Sequence, residues 1–168
     1  MIDAPMILTL ALDDSAQDFF NALRKEHFPV ERNYLDAHLT LFHHLPPEET
    51  SIIESIEQVC EQYQQMQLQV TEVKSIGNGV AYQIVCTELM RMHKHLQQQW
   101  DTWLTPQDRQ KLWPHVTIQN KVAPQQARLL KEQLAESFEP FTTEGTGLNL
   151  FAYQGGPWQF IKHHPFSV

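Results

Sequence analysis

Little in this chain of 168 residues points to a membrane, a metal or a long nucleic acid. No apolar run approaches the roughly 18 residues needed to span a bilayer. The opening MIDAPMILTLALDD has no basic stretch ahead of its short apolar run, and that run ends in acids, so no secretory leader is expected. Only two cysteines occur, Cys60 and Cys86, and their separation matches no metal-binding pattern. They are expected to be free buried thiols in a reducing compartment, which implies a cytoplasmic location. Basic residues are scarce, 12 against 20 acidic ones, for a formal net charge of −8. A broad basic face for gripping long nucleic acid is therefore excluded, whereas a small nucleotide or an RNA end in a locally basic cleft is not. There is no HExxH, no carboxylate cluster, no linker and no low-complexity segment.

What the chain does have is apolar content, 42% against 19% charged, which makes it globular. Its length suits one compact domain or two small lobes sharing a core. An internal repeat favours the second arrangement. Shifted by 77 residues, Ile7 falls on Ile84, Leu35 on Leu112, His38 on His115, Thr40 on Thr117, Pro47 on Pro124 and Gly79 on Gly156. That period is too long for a solenoid array. It predicts two similar lobes related by a pseudo-two-fold axis.

Local patterns agree. MILTLAL reads as a strand, and Asp13, Asp14 and Ser15 can cap a helix with Ala16, Phe19, Phe20, Leu23 and His27 on one face. DAHLTLFHHL reads as a strand, and PPEE opens a helix carrying Ile52, Ile56, Val59 and Tyr63. LQVTEVKSI, GNG and VAYQIVC form a hairpin. The second half repeats the order. A helix with Leu89, Met92, Leu96, Trp100 and Trp103 inward precedes the strand PHVTIQNKV. A helix opened by Pro124 with Ala127, Leu130, Leu134 and Phe138 inward precedes a last hairpin. The predicted class is α+β and bilobal, with antiparallel sheets flanked by helices around a central cleft.

Two stretches carry chemistry, HLTL from His38 and HVTI from His115. With 9 histidines and 11 threonines, chance gives roughly 0.6 His-x-Thr in the chain. Two copies, each with apolar residues after both letters and each in register with the repeat, exceed that. On alternating strands His38, Thr40, Phe42 and His44 share a face, as do His115, Thr117, Gln119 and Lys121. A two-fold relation would set these faces opposite one another. In-line attack at phosphorus needs a base on one side and an acid on the other, which two imidazoles supply. Threonine hydroxyls can donate to the equatorial oxygens, and His44 and Lys121 can add positive charge. The alternative is two histidines satisfied by local bonds within strands.

These residues resemble the two H-x-T-x motifs of the two-histidine (2H) phosphoesterase superfamily, which includes the 2′-5′ RNA ligases and RNA 2′,3′-cyclic phosphodiesterases. The resemblance covers the whole chain and implies one two-lobed domain over residues 1–168, acting without a cofactor or metal on cyclic or 2′-5′ phosphodiesters. It makes His38 and His115 the acid–base pair and Thr40 and Thr117 the phosphate ligands. The expected activity is hydrolysis of a cyclic nucleotide or RNA-terminal 2′,3′-cyclic phosphate. The alternatives are 2′-5′ RNA ligation in the same site and a nucleotide-binding module without turnover. The expected partner is a small nucleotide or RNA 3′ end, the expected state a monomer, with no membrane contact. Tyr82 and Trp158, in the hairpins after the motifs, can stack on a base. Trp113 is expected in the core. His43–His44 and His163–His164 are adjacent, so each pair splits between opposite strand faces and is no natural chelate. His93 and His95 lie off a common helix face and are expected to be exposed.

Overall fold

The computed structural model describes residues 4–47 and 49–168; Glu48, within the PPEE stretch expected to open a helix, lies outside the described residues. Strand β1 (Met6–Leu12), helix α1 (Asp14–His27), β2 (Leu39–Leu45), α2 (Thr50–Gln62) and β3 (Met66–Ser75) come first. The same order recurs as β4 (Val80–Val85), α3 (Thr87–Gln99), β5 (His115–Gln119), α4 (Pro124–Ser137) and β6 (Phe141–Tyr153), with β7 (Trp158–Pro165) after it. The class is α+β, as the sequence patterns predict.

Each element follows from its residues. All seven positions of β1 are buried, which suits an apolar run broken only by Thr9. Asp13 caps α1, accepting the Ala16 N–H at 2.8 Å. Its other oxygen accepts the Thr143 hydroxyl at 2.7 Å and the Glu144 N–H at 3.0 Å, tying the helix start to β6. Burial pushes the Asp13 carboxyl up, but these bonds outweigh it and hold the group below the usual carboxylate range. Helix α2 buries Ile52, Ile56, Val59 and Cys60, and α4 begins on Pro124, whose missing N–H costs nothing in a first turn. Among the described residues no helix is long and apolar enough to cross a membrane.

The strands form one antiparallel sheet in the order β2-β1-β6-β3-β4-β5, with β7 paired to β6. Long β6 holds β3 along 141–145 and β7 along 147–153 on one edge, and β1 on the other. The sheet curls into a half-barrel, so Cα atoms of its end strands, β2 and β5, approach within 8 Å without the strands pairing. Both His-x-Thr motifs lie on those end strands.

Strand β2 is not regular. It pairs Leu39 with Leu10 and Thr40 with Thr9, then Phe42 with Leu8 and Leu45 with Met6, so it carries two extra residues. Such bulges break side-chain alternation. Phe42 therefore turns into the core, 0% exposed, where its ring meets Trp100 with centroids 4.9 Å apart. The shared face expected for His38, Thr40, Phe42 and His44 ends at Thr40.

The core also claims Tyr82. It is 2% exposed, its ring edge-on to Phe19, Phe20 and Phe138, and burial pushes its hydroxyl up to about 12. It packs α1 and the end of α4 onto β4, and although its backbone pairs with Val116 of the second motif its ring is in the core, so the expected substrate contact is corrected to a core residue. Leu89, Met92, Leu96 and Trp100 face inward as expected, and Cys60 and Cys86 are buried free thiols.

Gly79 sits where backbones cross. A Cβ there would lie 1.9 Å from the Gln119 carbonyl oxygen at the end of β5. Gly79→Ala is expected to cost about 2 kcal/mol or more, read as a lowered urea midpoint, because the obstacle is main chain and cannot swing away.

Candidate active site

His38 stands one residue ahead of β2, and His115 opens β5. His38 Nδ1 lies 2.8 Å from the Asp36 carbonyl oxygen, and His115 Nδ1 lies 2.7 Å from that of Trp113. Each acceptor is the residue two positions earlier. A carbonyl can only accept, so Nδ1 carries the proton in both rings and Nε2 is left for the site. An indole lies against each imidazole: Trp158 on His38, centroids 4.6 Å apart, and Trp113 on His115, stacked at 4.2 Å. Trp113 is 39% exposed and donates its Nε1–H to Gln83 at 3.1 Å, so it supports His115 and is not the core residue expected.

The helices hold these loops. Gln17, Asn21 and Arg24 occupy one face of α1. Gln17 donates to the Ala37 carbonyl at 2.7 Å, and Asn21 accepts the Ala37 N–H at 2.8 Å. Arg24, only 5% exposed, donates to the Leu35 carbonyl at 3.0 Å and Asn33 at 2.9 Å, and through Nη1 to the Thr117 carbonyl at 3.0 Å. Helix α1 thus sets the approach to the first motif and reaches the second. Helix α3 does the converse. His93 is buried and donates Nε2–H to the Leu41 carbonyl at 2.9 Å, and Gln97 donates to the carbonyls of Asp108 and Gln110 at 3.0 and 2.8 Å. The expectation that His93 is exposed is corrected; His95 is exposed.

Two neighbouring hollows flank the motifs. One, of about 390 Å³, is lined by His38, Gln17, Tyr34, Asp36, Asn149, Phe151 and Trp158. The other, of about 320 Å³, is lined by Thr40, His43, His93, Asp108, Lys111, Trp113 and His115. Thr117 is half-buried two residues along β5 from His115. The β2 bulge brings His43, and not His44, into the second hollow. Buried Asp108 fixes it, accepting the His43 N–H at 2.8 Å, its Nδ1–H at 3.1 Å and the His44 N–H at 2.9 Å. The expected placement of His44 is thereby corrected. Lys121 is corrected too. It lies past the end of β5 with a left-handed backbone, φ 63°, and lines a separate hollow of about 530 Å³ with Arg32, Tyr34 and Tyr153.

Burial pushes the His38 imidazole down to about 4, and positive charge on Arg24, His115 and His43 acts in the same direction against the Asp36 carbonyl. Burial also lowers His115, against the Trp113 carbonyl. Burial brings Arg24 down to about 10, with Asp36 opposing. Burial raises Asp108, yet its bonds to His43 and His44 hold it below the usual carboxylate range. With both lowered, the motif rings are neutral at pH 7 and offer Nε2 lone pairs. Among the described residues no group of three or more His, Cys, Asp or Glu is arranged to hold a metal ion.

The family model of the 2′-5′ RNA ligase superfamily matches residues 12–157. The chain belongs to the 2′-5′ RNA ligase superfamily. It is thus a 2H phosphoesterase-type protein, as its motifs suggest. Solved structures show the same fold at low identity. TT0787 of Thermus thermophilus is 12% identical, with 96% of this chain and 97% of that one covered and a TM-score of 0.69. A phosphoesterase is 14% identical, with 99% of each chain covered and a TM-score of 0.63. E. coli LigT complexed with 3′-AMP is 13% identical, with 98% and 99% covered and a TM-score of 0.59. No curated protein matches in sequence. Sequence reasoning about this superfamily member missed Arg24, His43, His93 and Asp108. Only the Gln17, Asn21, Arg24 spacing was visible, and it reads equally well as a solvated helix face.

The lowered rings make stability depend on pH. As pH falls below about 6.5 the unfolded chain takes up protons that folded His38 refuses until about 4, so stability falls through that window. The urea midpoint is expected to drop from pH 7 to pH 5, and to drop less in His38→Gln.

Proposed function

We propose that the site hydrolyses a 2′,3′-cyclic phosphodiester at a nucleotide or RNA 3′ end by paired-histidine acid–base catalysis. The observation that carries this reading is the matched pair of imidazoles, each held through Nδ1 by the carbonyl two residues earlier. His38, lowered by burial and by the charge of Arg24, is assigned as the base. Its Nε2 takes a proton from water as the water oxygen bonds to phosphorus. The bond from phosphorus to one ribose oxygen breaks, and His115 Nε2–H gives that oxygen its proton. The product is a nucleoside 2′- or 3′-monophosphate. Thr40 and Thr117 donate hydroxyl hydrogen bonds to the non-bridging oxygens. A base fits the hollow beside His38, against Trp158 and Phe151. The solved complex of E. coli LigT with 3′-AMP, a mononucleotide, supports such a ligand. On this reading the two halves, offset by 77 residues, are lobes of one monomeric cytoplasmic domain.

A second reading is a nucleotide-binding module without turnover. The observation favouring it is that His38 and His115 are both lowered, so neither ring is a ready acid at pH 7. A bound phosphodiester anion counters this, since negative charge beside an imidazole favours its charged form. The same site could run in the 2′-5′ ligase direction when a 5′-hydroxyl replaces water.

Monophosphate release from 2′,3′-cyclic AMP separates the readings. Turnover is expected to survive a chelator and to fall by about 10²–10⁴-fold in His38→Ala and in His115→Ala. Binding without turnover, indifferent to both substitutions, would favour the module. The rate is expected to fall on the acid side as His38 takes a proton and on the alkaline side as His115 loses one. A rate flat from pH 5 to 8 would contradict the assignment.

A further inference from the structure

The two hollows beside the motifs differ in chemistry. The one at His38 has aromatic rings, amides and the Asp36 carboxyl. The one at His115 collects basic and amide groups, with His43, Lys111, Gln107 and Gln110 beside it. Its single carboxyl, Asp108, is 3% exposed and already bonded to the His43 and His44 main chain and to the His43 ring. The main-chain bonds have a role in the fold, since they stabilise the bulge of β2. The ring bond adds to the hold on the buried carboxylate, while the His43 side chain itself stays 47% exposed. That bond also orients the imidazole. Nδ1–H faces the carboxylate, and Nε2 is the nitrogen left for the hollow. Lys111 is exposed at the same rim and takes part in no ion pair among the described residues.

We propose that this hollow is a second anion subsite that takes a further phosphate of the substrate, with His43 and Lys111 as its contacts and Asp108 as the positioning residue for His43. The inference rests on the nucleotide reading above, in which the reacting phosphate sits between Thr40 and Thr117. It narrows the substrate to a nucleotide or RNA end carrying a second phosphate near the reacting one. In the subsite His43 presents Nε2–H as a hydrogen-bond donor to a phosphate oxygen. The Asp108 carboxylate balances the ring's charge, and Lys111 contributes a second charge-assisted bond. A base, which brings no charge, is better placed against the aromatic rings of the other hollow.

Calorimetric titration of the intact chain with inorganic phosphate and with pyrophosphate tests this. Pyrophosphate is expected to bind about ten-fold tighter than phosphate. That ratio is expected to shrink to about two or less in His43→Gln and in Lys111→Met, both at exposed side chains whose replacement leaves the core untouched. A native ratio near one, or a ratio unchanged in both variants, would overturn the subsite. Failure of the hydrolase reading looks different: cyclic AMP is not turned over while the ratio and its loss in the variants persist.

Discussion

Two main-chain carbonyls govern what this site can do. The carbonyls of Asp36 and Trp113 accept Nδ1–H from His38 and His115, and in doing so fix each tautomer and each ring's direction. An imidazole free to rotate would present either nitrogen and lose rotamer entropy each time a ligand bound. Here that ordering is done during folding. The short span from acceptor to ring makes the bond local, so each motif carries its own orienting device.

Those carbonyls are only as fixed as the loops that carry them, and the loops are gripped from the helices. Helix α1 holds 33–37 through Gln17, Asn21 and Arg24, and α3 holds 108–110 through Gln97. The two halves also brace each other, since Arg24 reaches the Thr117 carbonyl and His93 the Leu41 carbonyl. A buried guanidinium is costly unless its donors are satisfied, and Arg24 meets that cost with three acceptors and the face of Phe28 at 4.0 Å. The strands at the two ends of a curled sheet are thereby held in register although no ladder joins them.

Much of this was legible in the sequence. The His-x-Thr spacing, the capping Asp13, the apolar face of α3 and the order of elements all follow from local patterns. What stayed hidden depended on tertiary contacts. Alternation along HLTLFHHL assigns His44 to the site and His43 to the far side, but the β2 bulge reverses them, and nothing in the residues themselves marks the extra positions. Tyr82 and Trp113 are both aromatics in or beside strands. One is taken by the core and the other lies against an imidazole, a difference set by which neighbours the sheet brings to them. Arg24, His93 and Asp108 are polar residues that each have a partner between 52 and 93 residues away. From sequence each looks like a solvent-facing residue.

The account depends most directly on the protonation of two rings. Nitrogen-15 NMR of the histidine side chains, assigned by single substitutions at 38 and 115, reads this without substrate. At pH 7 both rings are expected to be neutral, with the proton on Nδ1 and a lone pair on Nε2, and His38 is expected to remain so until the pH nears about 4. A proton on Nε2 of either neutral ring, or a ring charged at pH 7, would contradict the account.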